Sequence, residues 1–128
     1  MAFKIADFDS SILPYKIIYD SALSGTGGGT ATVQQDVTQG ETGSLIAIDL
    51  DNGSGNPSIF KMTFTEATVT LGTTDPQLVI TVPASGKARY VIPEGIPFTT
   101  LSMWCVTSTA VAGTTAPQTA VQVRLVTT

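Results

Sequence analysis

Few side chains in this chain are spaced for catalysis or ligand binding. Histidine is absent, which excludes Ser-His-Asp and Cys-His nucleophilic sites and most zinc sites. Asp49 and Asp51 are two residues apart, so on a strand their carboxylates share one face and suit glycoside hydrolysis or calcium binding. The following DNGSGN lacks the distal glutamate of a calcium loop, and Asn-Gly is a common turn sequence. The pair therefore predicts a turn rather than a metal site.

The remaining candidates also favour structural explanations. GTGGGT at 25–30 lacks both the Lys-Ser/Thr and the helix of a phosphate loop, which predicts a connector. Ser85 and Lys87 are spaced like a Ser-x-Lys pair, but they lie in a turn where solvent keeps the lysine charged. Cys105 has no partner for a disulfide, and with Trp104 it lies in a mostly apolar segment, which predicts two core residues. We expect no catalytic residue, metal or cofactor.

Composition narrows the range of partners. The net charge is −4, and the six basic residues are scattered along the chain. Without a basic stripe for phosphate contacts, nucleic acid is not expected as a partner. No apolar run is long enough to span a bilayer, and MAFKIADFDSS lacks the apolar core of a signal peptide. We expect a protein that is made and kept inside a cell or assembled there into something larger.

Alternating apolar and polar residues recur at short intervals with turn residues between them, which predicts about eight strands and no helix. Residues 15–128 are therefore predicted to form a single antiparallel β-sandwich of the jelly-roll or Greek-key kind, with a closed barrel as the alternative. The residues expected to share a strand face are Tyr15, Ile17 and Tyr19; Ile46, Ile48 and Leu50; Phe60, Met62 and Phe64; Leu78, Ile80 and Val82; and Val121, Val123 and Leu125.

Turn sequences suggest how these strands connect. DNGSGNP and ASG each predict a hairpin, the first between strands near 45–50 and 58–64 and the second between strands near 77–82 and 87–92. Two similar sequences, GTTDPQ from Gly72 and GTTAPQ from Gly113, each bring a loop into a strand. Shared turn chemistry explains the repetition, and internal duplication is the alternative.

Residues 1–14 form a separate segment that does not alternate cleanly. They are too apolar for a solvated tail, so we predict an extended N-terminal arm that packs on this domain or on a neighbouring subunit. The candidate partner-contact residues are Phe3, Ile5, Phe8, Ile12 and Leu13.

Four segments in the second half of the chain, taken in their order, are similar to segments of a known protein family. They are IFKMTF, TVTLGTTDPQLVITVPASG, PEGIPFTTLSMWCVTSTAVAGTT and VQVRLVT, within residues 56–128. In this order they resemble a family of small structural proteins of tailed bacteriophages, most closely the capsid decoration, or cement, proteins. The resemblance implies a virion protein without enzymatic activity, assembled in the bacterial cytoplasm. It also implies a homotrimer that binds the major capsid protein on the outer surface of the head.

Two alternatives remain open. A head-tail adaptor, tail or fibre component would have a similar sequence and differ in copy number. A carbohydrate-binding module for host recognition would need exposed aromatic residues. The aromatic candidates are Tyr15, Tyr19, Tyr90 and Trp104, and their spacing predicts core positions instead.

Overall fold

The computed structural model describes residues 3–7, 15–25 and 27–128, and for residues 3–7 it describes the backbone alone. No helix occurs in these ranges. The strands are β1 (Phe3–Asp7), β2 (Lys16–Leu23), β3 (Gly43–Asn52), β4 (Ser58–Thr63), β5 (Leu78–Val82), β6 (Lys87–Phe98), β7 (Ser102–Val106) and β8 (Val121–Thr127).

Two antiparallel sheets make up the fold. Strands β2, β8, β3 and β6 lie side by side in the larger sheet, and β1 extends it beyond β2; the smaller sheet has the order β5, β4, β7. Every strand pairing between neighbours is antiparallel. The prediction of an all-β antiparallel sandwich is confirmed, and there are two separate sheets rather than a closed barrel.

One apolar core fills the space between the sheets. Phe60 and Met62 of β4 face it from the smaller sheet, and Val121, Val123 and Leu125 of β8 face it from the larger one, as their alternation predicted. Each fully buried side chain of this size stabilises the fold by roughly 1.5–3 kcal/mol relative to an exposed one. Cys105 is also in this core, as predicted, and burial raises the pKa of its thiol to about 12.

The two predicted hairpins are wrong, because both turns carry the chain from one sheet to the other. Strand β3 pairs with β6 and β8, whereas β4 pairs with β5 and β7, so β3 and β4 are not neighbours. Likewise β5 belongs to the smaller sheet and β6 to the larger one. The two turns therefore join strands of different sheets: β3 pairs with the later strands β6 and β8, whereas β4 pairs with β5 and β7.

Hydrogen bonds of one buried residue, Asn52, join the β3–β4 connection to the β5–β6 connection. The side-chain nitrogen of Asn52 donates to the carbonyls of Val82 (3.3 Å) and Pro83 (3.0 Å) in the β5–β6 connection. Its Oδ1 accepts from the Ser54 amide at 3.0 Å and from the Ser58 hydroxyl at 3.1 Å. Asn52 is buried, so these bonds satisfy a side chain whose burial would otherwise be costly.

A bulge in β3 changes which of its residues face the core. Register shifts between Leu45 and Ala47 against both neighbouring strands. As a result Leu45 is fully buried together with Ile48 and Leu50, while Ile46 is only half-buried. The prediction that Ile46 shares the core face is therefore wrong, since an inserted residue breaks the two-residue period.

Candidate functional site

The outer face of the smaller sheet is covered by the chain itself over β4 and β7. Side chains that alternate away from the main core on these strands include Ile59, Lys61, Trp104 and Val106, and all are buried. A second apolar cluster forms there, because loop residues pack onto the sheet from outside. Its members are Ala31, Ile59, Val69, Trp104, Val106 and Ala116, with Val33 and Leu71 at its margin.

Hydrogen bonds hold these loops to one another. Gln35 donates from its side chain to the Val69 carbonyl (2.6 Å) and accepts from the Val69 amide (3.0 Å), which joins two loops of the cover. The two similar Gly-Thr-Thr loops also meet here: Gly72 has a φ of 81°, and an added Cβ would lie 2.9 Å from Cγ2 of Thr114. Both sequences therefore contribute to one covering layer.

Lys61 is the charged residue beneath this cover. It is 1% exposed, and its ammonium donates to the backbone carbonyl of Ala110 at 2.8 Å. Burial lowers the pKa of Lys61, because a charged amine loses hydration there. Alternation along β4 predicts that Lys61 points away from the main core, which is correct, but the loops place it out of solvent.

Within the described residues, no loop covers the outer face of the larger sheet in this way. We call it the open face and define it by three rows of side chains that run across the strands. The apolar row is Ile17, Val126, Ala47 and Val91; the central row is Tyr19, Arg124, Asp49 and Arg89; the end row is Gln122, Asp51 and Lys87. All of these residues are half-buried or exposed, and Val91 is 64% exposed.

Among the described residues, two of the three basic residues on the open face lie close to a carboxylate, and the third does not. Arg89 donates to Asp49 at 2.9 Å, and the Lys87 ammonium lies 3.9 Å from the Asp51 carboxylate. Arg124 is also opposite Asp49 in the sheet, but its guanidinium lies over the Tyr19 ring, 5.4 Å from the centroid. Within the described residues Arg124 has no ion pair. A depression of about 250 Å³ follows the central and end rows, with Leu50 and Val123 at its base.

The predicted core role of the aromatic residues is confirmed only for Trp104. Trp104 is 3% exposed, whereas Tyr90 on the edge strand β6 is 46% exposed. Tyr15, Ile17 and Tyr19 are half-buried, and the core residues of β2 are Ile18 and Leu23 instead. Tyr19 lies on the open face because it alternates with the core residue Ile18, and the Arg124 guanidinium lies over its ring. Among the described aromatic residues, Tyr19 and Tyr90 therefore do not share a stacking surface, since Tyr90 is on the edge strand β6.

The predicted N-terminal contact residues fall mostly outside the described part of the chain. Phe3 and Ile5 lie in β1, where they pair with Asp20 and Ile18 of β2. Phe8, Ile12 and Leu13 lie outside the described residues, and so do the side chains of Phe3 and Ile5. The separation of an arm at 1–14 from a domain at 15–128 stays a prediction.

The described residues offer little for metal or acid-base chemistry. Among them no group of three or more potential metal ligands occurs, and Asp49 and Asp51 are tied to Arg89 and Lys87. No described helix has the length and apolar character needed to cross a membrane. Asp20 is buried, one of its carboxylate oxygens has no hydrogen-bond partner among the described residues, and burial raises its pKa.

Comparison with protein-family models, with curated proteins and with solved structures finds no match to this chain. The candidate site therefore rests on the geometry of the open face. Sequence reasoning singled out Asp49, Asp51, Lys87 and Tyr19 separately but did not place them on one face, since strand order across the sheet brings them together. Alternation supplied one further signal: because Val121, Val123 and Leu125 face the core, Gln122 and Arg124 between them face outward.

Proposed function

We propose that this chain is a non-enzymatic structural protein of a tailed bacteriophage, and specifically a capsid decoration protein. It would bind the outside of the head as a homotrimer and stabilise contacts between major capsid subunits. The observation that carries the proposal is the ordered set of segments in residues 56–128. Those segments supply β4, β5, β7 and β8, the loop before β5 and most of the β6–β7 region.

The architecture suits this role mechanically. The polar cluster at Asn52 and the covering loops over β4 and β7 join distant parts of the chain, which favours a rigid body. The open face and the N-terminal segment border each other, since β1 lies beside β2 at the edge of the larger sheet. A trimer would carry three such contact regions, so modest individual contacts would add through high effective concentration.

A head-tail adaptor, tail or fibre component is the second candidate of the same class. The same sandwich would serve such a component, and the difference lies in the number of copies per particle. Carbohydrate binding is less favoured, because Trp104 is buried and Arg124 lies over the ring of Tyr19.

The first test is the copy number of this protein in purified virus particles, measured by quantitative mass spectrometry against the major coat protein. We expect a number comparable to that of the coat. A small number per particle would favour an adaptor, tail or fibre, and absence from the particle would reject a virion role.

The N-terminal segment can be tested on the same particles after the protein has been stripped from them. Deleting residues 1–13 would also remove β1 and uncover the edge of β2. A sharper variant combines Phe8→Ser, Ile12→Ser and Leu13→Ser, which leaves the sequence of β1 intact. We expect a folded protein that no longer rebinds. Val79→Ser is the control, since Val79 is an exposed apolar residue on β5; full rebinding by the triple variant would reject the arm contact.

A further inference from the structure

We propose that the open face is a docking site for an acidic polypeptide segment of a partner protein, with Arg124 as its central contact. This surface borders the N-terminal segment considered above, but its rows are made of residues of β2, β3, β6 and β8. Its use does not depend on the identity of the particle to which the protein belongs.

The first argument is the distribution of charge. The whole chain has a net charge of −4. The open face has three basic residues, Lys87, Arg89 and Arg124, against two acidic ones, so it is positive by one charge while the rest of the chain is negative. Such a local excess attracts a partner of opposite sign and orients it during encounter.

The second argument is the state of the Arg124 guanidinium. Asp49 lies between two arginines in the sheet and is bonded to Arg89. The Tyr19 ring supports Arg124 from below, and in the described part of the chain no acceptor binds its N–H groups. A guanidinium held in this way is suited to a bidentate pair with a carboxylate, and less of its conformational freedom is lost on binding.

The third argument is the surface next to the charges. The depression beside Arg124 has room for a carboxylate side chain, and the apolar row lies one step further along the strands. Val91 and Val126 in that row offer contact area to the apolar residues of a peptide. Nucleic acid fits less well, because Asp49 and Asp51 interrupt the positive charge and no basic stripe follows a phosphate backbone.

The test is an NMR titration of the isotope-labelled full chain with a hexaglutamate peptide, alongside hexaglutamine and hexalysine as controls. We expect saturable shifts confined to open-face residues around Tyr19, Gln122 and Arg124. These shifts should weaken as salt is added, because the contact is exposed. Neither control peptide should reproduce them.

Arg124→Glu and Arg124→Gln test the central contact, and Lys16→Glu is the matched control. Lys16 is a basic residue of the same sheet, but it pairs with Glu41 and is not part of the open face. We expect both Arg124 variants to weaken hexaglutamate binding about tenfold or more, which corresponds to the loss of one charge-assisted contact. The Lys16 variant should bind as the wild type does. Unchanged spectra away from the substitution would show that each variant is folded.

Several results would overturn the proposal. They are the absence of saturable shifts, shifts centred on Lys16, equal binding of hexalysine, or full binding by the Arg124 variants. If a neutral oligosaccharide shifts the same residues with equal affinity, the face is a carbohydrate site instead. If dilution without peptide shifts them and Arg124→Glu abolishes that change, the occupant is a second copy of this chain.

Discussion

The outer faces of the two sheets differ in what covers them. In the smaller sheet, loops bury Trp104 and Lys61 outside the main core, whereas in the larger sheet the equivalent positions carry Tyr19 and Arg124 near solvent. Both pairs combine an aromatic residue with a basic residue at outward strand positions. The difference shows that the environment of an outward-pointing side chain depends on where the connections run.

Connection length explains much of this contrast. The segments 24–42, 64–77 and 107–120 are long, and their apolar residues return to β4 and β7. The connections β3–β4 and β5–β6 are short and stay at one end of the sandwich, joined by the bonds of Asn52. In the described part of the chain neither connection covers the open face, whose residues stay half-buried or exposed.

The largest expected difference in stability is between alanine substitutions of the aromatic residues on the outer faces of the two sheets. Trp104→Ala should lower the free energy of unfolding by about 3–5 kcal/mol, because it leaves a cavity in the second apolar cluster. Tyr19→Ala should lower it by about 1 kcal/mol, mainly through lost contact with Arg124. Denaturant unfolding of both variants measures the difference. Comparable losses would contradict the contrast, and a folded Trp104→Ala that loses sugar binding would indicate a carbohydrate platform.

An intermediate effect is expected at Lys61. Lys61→Met keeps the apolar stem and removes a poorly hydrated charge, so at neutral pH we expect unchanged stability or a gain of about 1 kcal/mol. Lys61→Ala also removes the stem and should lose about 2–4 kcal/mol. The Ala110 carbonyl loses its donor in both variants, but Ala110 is exposed and water can replace the ammonium.

The pH dependence of Lys61→Met tests the burial of the charge directly. Because the folded-state pKa of Lys61 lies below its ordinary value of 10.5, the unfolded state binds more protons between these two values. Wild-type stability should therefore rise through this window, and the advantage of Lys61→Met should shrink. Lys87→Met removes the same charge from the exposed side of the protein and is the control. Parallel profiles for wild type and Lys61→Met would contradict a buried charge.

Much of the fold was accessible from alternation, because burial on one side of a strand imposes a period of two residues. The core faces of β4, β5 and β8 follow it, as Phe60, Ile80 and Val123 show. The hairpins were mispredicted, since turn residues specify a chain reversal but not the sheet that the next strand joins. The prediction for Ile46 is wrong because the alternation of apolar residues does not reveal where a bulge shifts the register.

The candidate site was less predictable than the core. The spacing of Asp49 and Asp51 marks them as candidates in the sequence. Their partners Arg89 and Lys87 are on β6, which the sequence pattern predicts to pair with β5 rather than with β3. The positions of Arg124 and Tyr19 depend on β8 lying between β2 and β3. Strand order of this kind comes from tertiary packing, so local sequence patterns do not reveal it.

The smallest expected effect comes from the ion pair on the open face. Arg89→Ala removes the partner of Asp49, but both side chains are near solvent, and such pairs contribute little to stability. The freed carboxylate also lies opposite Arg124 in the sheet. We therefore expect an unchanged denaturation midpoint at low and high salt, together with altered NMR signals of the Tyr19 ring as Arg124 turns toward Asp49. A midpoint shift as large as that of Lys61→Ala would mean that side chains on the open face contribute as much to stability as those on the covered face. That result would contradict the difference between the two sheets.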